Sequence, residues 1–280
     1  MSTRQWRLKW WTMLKRFFVA NLFEQRTVFV TGGSGTINFA IARGMGSLGA
    51  RVVLAGRTIE KLDACCHQLE AEGTKALAVQ CDVQDYAALE AALAQSETAF
   101  GPADVLVCGA AANFPAPAEQ MSAEGFRKVI STDLLGSFNA ARAAFAQLKR
   151  TRGNIVFVSA TNAIMPFAFQ AHVGAAKAGI DSLMRGLALE WGKYGIRANS
   201  VLPGPIENTE GLGRLLTGDD VTALAEYVPI GRFGTVEDVA AVTAFLASPI
   251  ASLLTGATLV ADGGQSFSGS AMLAEMMLNP

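Results

Sequence analysis

The sequence predicts a doubly wound α/β fold, one parallel sheet with helices on both faces, in a single domain. Three observations predict it. An apolar run from Thr27 to Val30 enters a glycine-rich turn (Gly32, Gly33, Gly35). A 3.6-periodic apolar segment follows (Ile37, Ile41, Met45, Leu48), and Gly49 ends it before the run Val52-Val53-Leu54. This is a strand, turn, helix, strand unit. Along the rest of the chain helical patterns and short apolar runs alternate, which requires right-handed crossovers and a parallel sheet. Finally, no Pro-, Gly- or Ser-rich linker and no break in composition divides the 280 residues, and their 51 % hydrophobic content is enough for one large core.

The first unit points to a nucleotide. Glycines let the backbone approach a pyrophosphate, and the free N–H groups at the start of the next helix, with its positive dipole end, favour the negative charge. Gly32, Gly33, Ser34, Gly35 and Ile37 are therefore the expected phosphate-side contacts of a dinucleotide. The end of the second strand chooses the cofactor. An acid there would bond a ribose 2′-hydroxyl, whereas Ala55-Gly56-Arg57-Thr58 offers a cation and a hydroxyl suited to a 2′-phosphate. NADP(H) is expected over NAD(H); a solvated charge at a helix entry is the other account of Arg57.

Taken in order, helical patterns at 60–72 and 86–100 accompany apolar runs at 75–81 and 104–108. Patterns at 126–148, 168–191 and 236–246 then alternate with runs at 154–159, 196–201 and 257–260. Thr31, Arg57, Asp82, Ala110, Ser159 and Pro203 end their strands and so share one rim, where ligands of parallel sheets bind. Asp82 and Val83 are expected near the adenine there, with a helix N-cap as the alternative for Asp82. Residues 205–227 form the one long insertion, placed as a lid would be.

The domain is read as residues 25–266, with 267–280 as a tail and 1–24 as a basic aromatic extension. In that extension Arg4, Arg7, Lys9, Lys15 and Arg16 interleave with Trp6, Trp10, Trp11, Phe17 and Phe18, and no acid precedes Glu24. Its apolar stretches are too short to span a bilayer, and no signal-peptide core is visible. Contact with an anionic membrane surface, packing on its own fold or a neighbouring subunit, and a start codon assigned too far upstream all fit it. The net charge of −1 gives no case for nucleic acid. Cys65, Cys66, Cys81 and Cys108 lack metal-ligand spacing, so no metal is expected, and they read as reduced, mostly buried thiols of a cytoplasmic protein.

From Thr27 to about Gly264 the chain resembles the short-chain dehydrogenase/reductase family, whose fold is of the Rossmann type. The matching residues are Thr31-Gly32-Gly33, Asp82-Val83, Lys177 in the long helix, Arg197-Ala198-Asn199 leading to Pro203-Gly204, Thr255-Gly256, and Asp262-Gly263-Gly264. Thr36 and Asn38 stand where glycine is usual. The family's catalytic Tyr, Ser and Asn positions hold Val173, Ala160 and Asp133, which leaves Lys177. Val and Ala exchange no proton, so dehydrogenation of an ordinary alcohol by that route is disfavoured.

The segments Gly109-Ala110-Ala111-Ala112-Asn113-Phe114, Gln170-Ala171-His172-Val173-Gly174-Ala175-Ala176-Lys177 and Gly204-Pro205-Ile206-Glu207-Asn208-Thr209-Glu210-Gly211 resemble the 2,4-dienoyl-CoA reductases of the peroxisomal type and their bacterial relatives, which also lack the Tyr. The resemblance implies hydride transfer from NADPH to the conjugated chain of an acyl-CoA thioester, then protonation of the dienolate. It implies that Lys177 holds the nicotinamide ribose, that Ala110, Pro203, Gly204 and Ile206 complete the cofactor contacts, and that the protein forms a homo-dimer or homo-tetramer. The apolar residues Ile180, Leu183, Met184, Leu187 and Ala188, more than one sheet-facing stripe requires, point to the same pairing.

Asp133 is assigned as the proton-relay group, with a solvent-facing helix residue as the alternative. Asn113 is read as orienting the thioester or as ordinary turn chemistry. His172 is an acid or a contact to the substrate, or else packing or a subunit contact. Phe114, Phe167 and Phe169 form an acyl channel or fill the core. A trans-2-enoyl thioester reductase, and a nucleotide-binding member of the fold that has lost its chemistry, stand as the other functions.

Overall fold

In the computed structural model, which describes residues 21–213, 225 and 227–270, seven parallel strands form one sheet in the order β3-β2-β1-β4-β5-β6-β7. They are β1 Thr27–Thr31, β2 Arg51–Gly56, β3 Ala76–Gln80, β4 Val105–Cys108, β5 Asn154–Val158, β6 Arg197–Pro203 and β7 Thr258–Ala261. The helices are α1 Thr36–Ser47, α2 Ile59–Ala71, α3 Tyr86–Phe100, α4 Ala123–Val129, α5 Gly136–Thr151, α6 Ala171–Trp191 and α7 Val236–Ala247. The predicted strands and, apart from the 126–148 pattern, the predicted helices are present, shifted at their ends by a few residues. The expectations for residues 1–20, 271–280 and most of the 205–227 insertion lie outside the described residues.

The order of strand addition reverses between β1 and β4, and the carboxyl ends of these two parallel neighbours open the crevice where such sheets take ligands. The strands are apolar on both sides because both sides are covered. Phe29, Leu106, Ile155 and Phe157 pack against Leu89 and Leu93 of α3, Ala144 and Leu148 of α5, and Ile180 and Met184 of α6. Val28, Val30, Leu54 and Val107 pack against Ile41 and Met45 of α1, Leu62 and Leu69 of α2, and Val239 and Ala244 of α7. Full burial of each of the larger of these side chains, Val, Leu, Ile, Met or Phe, contributes on the order of 1.5 to 3 kcal/mol.

Three local expectations are corrected. The 126–148 pattern is not one helix: a π turn, Ile130–Leu135, separates α4 from α5. The N-cap of α3 is Asp85, which accepts from the Ala88 N–H, while Asp82 accepts from the Gln84 N–H in a turn of its own. The apolar surplus of α6 is absorbed within the chain, since Ile180, Met184, Leu187 and Ala188 are buried in the core and Leu183 packs on it. Those side chains therefore carry no argument for pairing between subunits.

Candidate active site

The crevice begins at a loop with no spare room. The Thr31 Oγ1 at the end of β1 accepts from the N–H groups of Gly109 (3.1 Å) and Ala110 (3.3 Å), tying β1 to the end of β4. Gly32 has φ +65°, and a Cβ on it would stand 2.8 Å from the Ala110 Cα. A Cβ on Gly33 would meet Leu54 at 2.9 Å. Asn38, in a place where glycine is usual, is buried and fastens the loop: its Nδ2 donates to the carbonyls of Gly32 (3.0 Å) and Gly109 (2.8 Å). At this departure from the family pattern the side chain thus gives the loop two hydrogen bonds that a glycine could not make.

Beyond the loop lies a cleft of about 440 Å³. Gly32, Ser34, Gly35 and Ile37 line one end, Arg57, Asp82 and Val83 a side wall, and Ala110, Asn113 and Lys177 the inner end. The structure brings these predicted residues together. Gly33, Pro203, Gly204 and Ile206 do not line the cleft. Gly33 faces Leu54, Gly204 abuts Asp262, Pro203 is buried at the end of β6, and the Ile206 side chain enters the core while its backbone bridges to Gly234. Sequence reasoning missed Lys61, Thr132, Thr209 and Glu210, which also line it. Lys61 had a weaker signal, a second cation in the first turn of α2 close after Arg57. A larger hollow, about 510 Å³, opens at the strands' amino ends beside Arg26, Asp104 and Arg197. The loop, the helix start of α1 and the buried cation are all at the other rim.

At the inner end a buried pair stands where the family carries its tyrosine machinery. The π turn directs Asp133 inward, fully buried, its Oδ1 accepting from the Ala112 N–H at 2.7 Å. Its Oδ2 lies 3.2 Å from the Lys177 Nζ, which also donates to the Val158 carbonyl at 3.1 Å. The solvent-facing alternative for Asp133 is thereby excluded. The Ser159 Oγ, on the cleft wall, donates to the Lys177 carbonyl at 3.4 Å. Val173 is buried among Val129, Ala176 and Phe114, an apolar cluster with no proton to exchange.

His172 is fully buried, its ring 4.5 Å from that of Phe114 and tilted by 48°. Burial pushes the imidazole below its usual pKa, against the opposing pull of the Phe114 backbone and the Asp133 carboxylate. Phe114, His172 and Asp133 form the floor behind the cleft rather than its lining. The expected channel of three phenylalanines is not formed: Phe169 is exposed in a left-handed conformation (φ +63°), where its carbonyl accepts from the Ala116 N–H.

A nicotinamide dinucleotide fits this arrangement. The glycine loop leads into a helix start, the cations Arg57 and Lys61 line the cleft, and the buried Lys177 ammonium stands at its inner end. Comparison with known proteins agrees. A family profile described as Enoyl-(Acyl carrier protein) reductase matches residues 33–266. The peroxisomal 2,4-dienoyl-CoA reductase ((3E)-enoyl-CoA-producing) of Saccharomyces cerevisiae is 40 % identical, over 87 % of this chain and 85 % of that one. The Bacillus subtilis protein named "Probable 2,4-dienoyl-CoA reductase [(2E)-enoyl-CoA-producing]" is 38 % identical, over 86 % of this chain and 97 % of its own. Among solved structures, the citronellol catabolism dehydrogenase of Pseudomonas aeruginosa superposes with a TM-score of 0.79 at 34 % identity, covering 89 % of this chain and 98 % of that chain. The chain belongs to the short-chain dehydrogenase/reductase family of oxidoreductases and groups there with the 2,4-dienoyl-CoA reductases.

Proposed function

We propose that the protein reduces a conjugated 2,4-dienoyl-CoA thioester with NADPH. One observation carries the reading: a buried Asp133–Lys177 pair occupies the reaction end of the cleft, while Val173 and Ala160 stand where a tyrosine and a serine would serve alcohol chemistry. Relatives that bear the name 2,4-dienoyl-CoA reductase support it.

Gly32, Ser34, Gly35 and Ile37 would take the pyrophosphate, Asp82 and Val83 the adenine, and Ala110 and Lys177 the nicotinamide ribose. Arg57, with Lys61 beside it, would hold a 2′-phosphate, which favours NADPH over NADH. When bound, the reduced nicotinamide supplies a hydride to carbon. No alcohol then has to lose its proton, so the absence of tyrosine is no handicap. The chain's own task is to stabilise charge on the thioester oxygen, through the Lys177 ammonium and the Asn113 amide, and to deliver a proton by way of Asp133.

Homo-oligomerisation is part of this reading, and its support now comes from apolar side chains left exposed on α5, α6 and the turn before α5: Leu135, Phe138 and Leu189. A reducing compartment, the cytoplasm, suits four free cysteines. Contact of residues 1–24 with an anionic membrane surface belongs to the same set of proposals.

The test is NADPH oxidation with 2,4-hexadienoyl-CoA beside crotonyl-CoA. Turnover with the dienoyl thioester supports the proposal; turnover with crotonyl-CoA alone makes the protein a trans-2-enoyl reductase. Binding of NADPH without oxidation by either thioester would leave a nucleotide-binding protein without this chemistry.

A further inference from the structure

The rim opposite the cleft carries features that the reduction does not use. Arg26, Arg152 and Arg197 stand around the hollow of about 510 Å³ at the strands' amino ends, and Asp104 is the single acid in its lining. Asp104 is already taken by Arg26, whose Nη1 lies 2.6 Å from its Oδ1. Arg197 donates to the carbonyls of Leu254 (3.1 Å) and Ser248 (3.2 Å), and its charge meets no carboxylate among the described residues. Arg152 caps α5 in a left-handed conformation (φ +50°), lies against Gly195 and forms no ion pair among the described residues. Beside it Lys149 and Lys193 stand over the Tyr194 ring, at 4.6 Å and 5.2 Å, and add two further cations.

On the same rim the loop after α7 raises an apolar knuckle. Leu253 is 95 % exposed and Ile250 61 %. The loop is held firmly: the N–H groups of Ala251, Ser252 and Leu254 donate to the carbonyls of Ser248, Pro249 and Ala251, and Arg197 ties its two ends. One exposed leucine is ordinary, but two large apolar side chains on a fixed loop ringed by cations mark a contact surface. The chain also enters the fold here. Phe23 is buried and its N–H donates to the Leu48 carbonyl, and Leu22 lines the hollow. The basic aromatic residues 1–20, which contain no acid, therefore join the domain at this rim.

We infer that this rim docks against a bilayer containing anionic phospholipid, with Ile250 and Leu253 entering the headgroup layer and the arginines meeting lipid phosphates. This rests on the reading that residues 1–24 contact an anionic membrane surface, and deepens it by assigning the face of the folded domain that joins them. Charge complementarity selects the partner, because unneutralised cations beside apolar tips suit an interface that is negative outside and apolar beneath. One weak anchor holds a protein only marginally, whereas two together hold it stably; the extension supplies one and the knuckle the other. The cleft opens at the opposite rim, so the docked protein keeps its site open to a water-soluble nucleotide.

Cosedimentation of the full chain with vesicles of phosphatidylcholine and phosphatidylglycerol, beside vesicles of phosphatidylcholine alone, tests this. Binding is expected with the anionic vesicles only, and it should weaken as salt is added. Leu253→Asp should lower the affinity about tenfold, through lost apolar burial and added repulsion. Arg152→Asn, which suits the left-handed backbone, should lower it about fivefold, the worth of one cation near such a surface. Both residues are exposed and away from the cleft, so NADPH affinity and helix content should match the unaltered protein and show that the variants fold. Unchanged vesicle binding in both, with loss of binding when Arg4→Gln, Arg7→Gln and Lys9→Gln are combined, would overturn the role of the rim and leave that of the extension. No binding of the unaltered chain to either vesicle would refute both. A lower mass by light scattering in Leu253→Asp, with vesicle binding intact, would make the knuckle a contact between copies of the chain and remove it from the membrane.

Discussion

Arg57 and Asp133 show at the scale of single residues how far chemistry can be read from a list of letters. The place of Arg57 on the cleft was legible because it depends only on ending a strand beside a glycine loop, and both features are local. If its guanidinium meets a 2′-phosphate, Arg57→Ala should remove about 1.5 to 3 kcal/mol of the preference for NADPH over NADH, the worth of a charge-assisted contact. Titration of the two nucleotides by fluorescence measures it, and equal affinities in the unaltered protein would contradict the assignment. Asp133 was legible only as a carboxylate in an apolar stretch. Its true situation, one oxygen on the Ala112 N–H and the other on Lys177, depends on residues 21 and 44 positions further away or nearer in no periodic relation to it. Asn38 was legible only as a departure from a glycine pattern, which does not announce that its amide will tie two carbonyls of the loop.

At the scale of elements, strands and helices came through because each carries its own period, and the parallel order follows from their alternation. The π turn did not. A stretch of one inserted residue keeps nearly the same apolar spacing as an α-helix, so the 126–148 pattern looks continuous although Asp133 is turned inward only by the interruption. Deleting Ser131 should restore an uninterrupted helix and rotate Asp133 by about 100° relative to α4. Turnover should then fall at least about 10²-fold, as for loss of a positioned acid or base. NADPH affinity should change little, because the glycine loop is untouched. Retained turnover in a variant of normal helix content by circular dichroism would mean that the π turn does not serve the site. The α6 stripe failed as evidence of pairing for a related reason: periodicity counts apolar residues but not the layers that cover them, and here the sheet, the π turn and α5 cover the surplus.

For the whole molecule, burial of titratable groups couples stability to pH. The folded chain holds His172 below its usual pKa of 6.5. Between that lowered value and 6.5 the unfolded chain binds a proton that the folded chain lacks, so stability present above pH 6.5 is lost as the pH falls through this window. His172→Phe should therefore flatten the acid side of the stability profile, measured as the urea midpoint at pH 7 and pH 5. An equal drop in both proteins would assign the acid sensitivity elsewhere. Burial also raises the thiols, Cys66 to about 12 and Cys81 to about 11, so alkylation of these two at neutral pH should be slow in the folded protein.

The account's central claim is that a buried carboxylate and ammonium, not a tyrosine, serve the reduction. Single-turnover oxidation of NADPH by 2,4-hexadienoyl-CoA in Asp133→Ala and Val173→Ala tests it most directly. Asp133→Ala should be slower by about 10²- to 10⁴-fold with nearly unchanged NADPH affinity, and Val173→Ala should stay close to the unaltered rate. Equal rates in Asp133→Ala and the unaltered protein would contradict it.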